Sequence, residues 1–166
     1  MSIIVIIIEM LIFAALFTVV LFSFINKKEM TAGIHNYPPD IQEEYFKTHP
    51  RRDTSGKSKN VIIAKSAGVL MFTAILTVCT LIAGADTFLQ GFELAFGMMV
   101  WIGCYDTFFL DWVLFANMKC FRLPGTEHMD EAYHQKWFHL KGMIFPGGMF
   151  GLIVAALVGL VVAIIR

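Results

Sequence analysis

The chain has 166 residues, 57% of them hydrophobic and only 16% charged, with thirteen basic and thirteen acidic side chains that cancel to a net charge of zero. A soluble domain of this length carries nearer a quarter charged residues, so the composition argues against a water-soluble globule. The bases are interleaved with acids rather than clustered, which leaves nucleic-acid binding without support.

The charged residues are unevenly spread and leave four apolar stretches, at about residues 3–25, 61–85, 88–117 and 143–165. Each exceeds the roughly 20 residues that a helix needs to cross about 30 Å of hydrocarbon. The fold expected is all-α: one transmembrane domain over residues 1–166, a four-helix bundle with the lipid bilayer as its surroundings. The first stretch reads as a retained helix rather than a cleaved signal peptide. Met1-Ser2 offers no basic lead, and the apolar run is too long for a signal core.

Twelve of the thirteen Lys and Arg lie between Lys27 and Lys141, in the loops 26–60 and 118–142 or, for Lys65, at the adjoining end of a span. The positive-inside rule then places both loops in the cytoplasm and both termini outside, with the plasma membrane as the expected location. Cys79, Cys104 and Cys120 are two span residues and one loop residue, a pattern that argues against a disulfide framework.

In the first loop, Pro38-Pro39 ends any preceding helix and pre-sets a new one. Ile41 and Tyr45 share a face, and Asp40, Glu43 and Glu44 suit its first turns. In the second loop, Thr126 suits an N-cap, and Met129, Tyr133, Trp137 and Leu140 follow helical spacing. Two short amphipathic helices on the cytoplasmic membrane surface are expected, with Trp137 at headgroup level. Gly142 and Pro146-Gly147-Gly148 would loosen the lead into the last span.

Carboxylates inside spans call for an explanation, because a charge at the bilayer centre costs about 2.5–3.5 kcal/mol on insertion scales. Lys65 and Asp111 fall at similar depths, roughly 6–9 Å in at 1.5 Å per residue, and are expected to pair. Asp106 lies about 15 Å in, with no basic residue at that depth. On an α-helical wheel Glu93, Gly97, Cys104 and Asp111 share an arc, whereas Asp106 points about 140° away. It is either a protonatable relay or a hydrogen-bond clasp to the stripe Ser66, Thr73, Thr77 and Thr80. Together with Glu9 in the first span, Asp106, Asp111 and Glu93 outline a transport path.

In the last span Gly147, Gly151, Ala155, Gly159 and Ala163 recur every four residues. Small residues in register let helix backbones approach closely, either between copies in a homo-oligomer or against another span of the same chain. All five histidines are in the loops. Glu131 and His134 have the spacing of half a carboxylate-bridged metal site, but no second Glu-x-x-His completes it. The sequence specifies no cofactor.

No nucleophile elbow, Walker loop or His-Glu-x-x-His is present. The leading expectation is a small oligomeric membrane protein moving a proton, cation or small solute, with Asp106 titrating at its centre. The alternatives are a cytoplasmic-face enzyme acting on a lipid or amphiphile, its groups drawn from His35, Tyr37, Arg51 and His134, and a non-catalytic partner or scaffold subunit.

Overall fold

The computed structural model describes residues 2–25, 30–51 and 59–166. Every element among them is helical. Helix α1 spans Ile3–Ile25, and a 3-10 turn at Met30–Asn36 leads to α2 at Pro39–Tyr45. Helix α3 spans Lys59–Ile82, and α4 (Phe88–Cys104) continues without a break as a π-helix over Tyr105–Phe115. A 3-10 turn at Lys119–Phe121 precedes α5 (Asp130–Tyr133) and α6 (Lys136–Gly142). A second π segment, Met143–Gly147, joins α6 to α7 at Gly148–Ile165. Four helices are long and apolar enough to cross a membrane: Ile3–Ser23, Ile62–Ile82, Phe88–Phe115 and Asp130–Ile165.

The tight connection between α3 and α4 turns on Gly84, whose φ of 89° is left-handed and open to glycine at no steric cost. The Ala85 amide donates back to the Thr80 carbonyl at 2.9 Å, closing the end of α3. Thr87 then caps α4, accepting from the Gln90 amide.

The small-residue stripe of α7 is filled within the chain. A Cβ built on Gly159 would stand 2.8 Å from the Phe88 carbonyl oxygen, and one on Gly151 would stand 3.2 Å from Met99 Cβ. From the other side, a Cβ on Gly91 would meet Gly159 Cα at 3.3 Å. Gly151, Ala155 and Gly159 are buried, whereas Gly147 and Ala163 at the two ends are exposed. The close approach expected of the stripe is therefore made to α4. Val154, Val158 and Val162 complete the core with Leu76 and Met98.

Helix α1 sits at the margin, with Ile4, Ile8 and Leu11 exposed. Polar points hold it: the Ser2 amide donates to Ala83 O at 3.0 Å, Trp101 Nε1 donates to Met10 O at 3.2 Å, and Thr18 shares a 2.8 Å hydrogen bond with the Tyr105 hydroxyl.

The two loops do not stay separate. They fold against each other into a second core, in which Ile34, Ile41, Leu123 and Tyr133 are almost wholly inaccessible. Phe115, from the end of the third span, and Phe22 of α1 pack into it. Tyr37 donates its hydroxyl to Phe121 O at 3.0 Å, and Gln135 Nε2 donates to Asp40 Oδ2 at 2.7 Å, tying one loop to the other.

The expected apolar face from Met129 to Leu140 is broken. Helix α5 ends at Tyr133 and α6 begins at Lys136, so the helical register restarts between them. As a result His139 is buried, while Trp137 is 73% exposed. The expected loosening at Gly142 and Pro146 takes the form of a π segment, Met143–Gly147, rather than a break. Helix α6 runs straight into the last span, and the wide π turn takes up Pro146, which has no amide hydrogen to give.

Candidate functional site

The run Tyr105–Phe115 reads YDTFFLDWVLF, and all of it is π-helical. At its end the Ala116 amide donates to Asp111 O, a bond spanning five residues rather than four. Residues five apart therefore stack on one face, unlike those on an α-helix. Asp106 and Asp111 are five apart. The 140° divergence expected from an α-helical wheel is replaced by a shared face, and Asp106 lies within electrostatic reach of both Asp111 and His139.

Helix α6 supplies the partner. His139 Nδ1 lies 2.9 Å from Asp111 Oδ2, with the two side chains 7% and 23% exposed. Phe115 and Phe138 wall the imidazole, each with its centroid 5.2 Å from the ring. One turn before His139, the Lys136 ammonium stands 5.2 Å from the centre of the Trp112 ring. Two buried nitrogens here have no hydrogen-bond partner, His139 Nε2 and Trp112 Nε1. If Nδ1–H donates to the carboxylate, the neutral imidazole is left with an acceptor lone pair at Nε2.

Among the described residues, the expected Lys65–Asp111 pair is not formed. Lys65 is exposed on α3, and His139 takes its place beside Asp111. Among the described residues, no hydrogen bond joins Asp106 to the threonine stripe. Thr80 instead donates to Thr77 O at 3.0 Å, and the hydroxyls of Thr73 and Thr77 are buried without partners. Glu9 is half-buried on α1 and Glu93 is exposed on α4. Of the four carboxylates outlined as a path, Asp106 and Asp111 come together.

Glu131 and His134 are both exposed, and His134 Nδ1 is 2.8 Å from Asp130 O. Among the described residues no group of three or more His, Cys, Asp or Glu is arranged to hold a metal ion. The same region borders an open cleft of about 590 Å³ lined by Asp40, His128, Asp130, Glu131 and Gln135.

A second polar constellation braces the loop core. The Arg122 guanidinium lies 3.8 Å from the centre of the Tyr133 ring. One of its nitrogens donates to Ala116 O at 2.8 Å and to Asp130 Oδ1 at 3.0 Å. The Tyr133 hydroxyl accepts from the Leu123 amide at 2.9 Å and lies 2.6 Å from Thr126 Oγ1. Burial pushes the Tyr37 phenol above its ordinary value, and the neighbouring Tyr133 and Cys120 add to the shift. At the surface, the ammonium of Lys47 holds the Glu44 carboxyl below the ordinary range.

His139 is the site residue that spacing along the chain did not single out. The available signal was its position: it is the histidine closest to the last span, so any helix continuous with that span carries it to the membrane boundary. Compared with models of protein families, with curated proteins and with solved structures, the chain matches none.

Proposed function

We propose that this membrane protein moves a proton, cation or small solute across the bilayer through the site formed by Asp106, Asp111 and His139. The carrying observation is the 2.9 Å contact between Asp111 in the third span and His139 at the head of the fourth. The π register stacks Asp106 on the same face. Ionisable groups inside a span mark ion and proton pathways by default, because lipid makes them costly to keep. Glu9 and Glu93 lie outside this cluster and serve as approaches from the opposite side. The charged loops face the cytoplasm of a plasma membrane in this reading.

The test is flux in proteoliposomes. Asp106→Asn abolishes it, while changes at the exposed His128 and His134 leave it intact. Undiminished flux in Asp106→Asn overturns the proposal.

One observation favours a second reading. A buried imidazole held by a carboxylate, with its far nitrogen free, is also the arrangement of a general base. A loop-face enzyme acting on a lipid or amphiphile would lose turnover in His139→Gln but keep it in Asp106→Asn. The scaffold reading loses its contact surface over Gly151–Gly159, which α4 already occupies.

A further inference from the structure

We infer that the transported species is a proton, and that His139 Nε2 is where it is taken up from the loop side; the inference rests on the transport reading above. The chemistry around the imidazole supports a proton rather than a hydrated cation. A hard cation leaving water needs several oxygens in place of its hydration shell. The walls beside His139 are the aromatic carbons of Phe115 and Phe138, and among the described residues no three His, Cys, Asp or Glu are grouped to hold a metal ion. A proton needs only a donor and an acceptor at each step, and the first such pair is His139 and Asp111.

The side chain of His139 is 7% exposed, with Nδ1 committed to Asp111 and Nε2 buried without a partner. A proton added at Nε2 makes the imidazolium. The Nδ1 proton then crosses the 2.9 Å to Asp111 Oδ2, which leaves a neutral imidazole and a neutral carboxylic acid. One proton has gone in and one has moved on, with no other bond changed. The next acceptor is Asp106, one π turn along the same face. Among the described residues, the charged groups beside this relay include Asp111 and Asp106 on the third span, with Lys136 of α6 nearby over the Trp112 ring. Lys136 supplies a fixed positive charge that disfavours a resident metal cation.

The experiment uses the full chain in liposomes holding a pH-sensitive dye, with a potassium gradient and valinomycin setting the membrane potential. A matching set holds a sodium-sensitive dye. Wild type is expected to carry protons and not sodium, and His139→Ala to slow proton flux at least tenfold, with free imidazole in the medium restoring it. Proton flux that survives in His139→Ala overturns the role of His139 but leaves transport standing. Sodium flux without proton flux overturns the proton as substrate, and transport again stands. Flux of neither ion, with other solutes also retained, removes the transport reading itself and this inference with it. If His139→Ala does not fold, Asp111→Asn, nearly isosteric with wild type, is read in the same assay. Loss of its proton flux supports the relay, and retention overturns it.

Discussion

The imidazole of His139 and the carboxylate of Asp111 join the fourth span to the third at 2.9 Å, with Asp111 inside the π segment of its helix and His139 on α6 just before the π segment Met143–Gly147. Removing either partner strands the other in a poorly hydrated site. His139→Ala and Asp111→Ala are each expected to lower stability by about 1.5–3 kcal/mol, the range for a hydrogen bond to a charged group. The double variant should cost less than the sum, giving a coupling of about 0.5–3 kcal/mol. Denaturation of the four proteins in one detergent measures it. Strict additivity would mean that the pair contributes nothing.

Asp106 behaves differently if it is kept for function. Asp106→Asn preserves shape and hydrogen bonding but cannot titrate, so it should melt at or above the wild-type temperature in neutral detergent. A fall of several degrees would assign Asp106 to a structural clasp.

Gly159 and Gly97 form a matched test of the α4–α7 contact. At Gly159 a methyl group would stand 2.8 Å from the Phe88 carbonyl oxygen, whereas at Gly97 nothing lies within 4 Å. Gly159→Ala should therefore destabilise by about 1–3 kcal/mol through overpacking. Gly97→Ala should be neutral or stabilising by up to about 1 kcal/mol, since alanine is the better helix former. Melting temperatures of the two variants decide the matter.

Tyr37 links the loop core to alkaline pH. Its folded-state titration lies above the ordinary value of 10.0 because of burial. A raised value means that its contribution to stability is complete below the unfolded value and drains away as pH climbs past it. Ultraviolet titration should show the Tyr37 phenol holding its proton where exposed tyrosines have ionised, until the loop core opens. Tyr37→Phe removes that dependence, at a cost of about 1 kcal/mol for the lost bond to Phe121.

Arg122→Lys is expected to be as disruptive as Arg122→Met, about 1–2 kcal/mol by thermal melting. An ammonium cannot stack on the Tyr133 ring as a plane, and it ends a shorter side chain than the guanidinium nitrogen that serves both Ala116 O and Asp130. Full retention of stability in the lysine variant would show that charge alone suffices.

The spans were legible because hydrocarbon demands long apolar runs, and the run from Phe88 to Phe115 satisfies that demand however its hydrogen bonds are spaced. The stripe through Gly151, Ala155 and Gly159 was legible because four-residue spacing lines up on an α-helix, and α7 is one. Its partner was not, since a smooth groove fits a neighbouring span as well as a second copy. The stacking of Asp106 over Asp111 was hidden for a related reason. A π register shifts each bond by one residue and leaves no compositional trace. His139 was missed because periodicity was carried across the break after Tyr133, where the helical register restarts. The pairing expected of Lys65 rested on depth alone, and depth does not say which way a side chain faces.

The two cores described here lie in different solvents, and this gives the molecule two calorimetric signatures. When spans separate within the bilayer, side chains such as Leu76 and Val158 pass from protein to hydrocarbon, and little water is restructured. When the loop core opens, Ile34, Ile41, Leu123 and Tyr133 meet water, and apolar hydration raises the heat capacity. Heat-capacity change on unfolding should therefore follow the loops, although they hold the smaller share of the chain. Cooling weakens this layer while sparing the spans, so the brace around His139 is the part of the protein most exposed to cold.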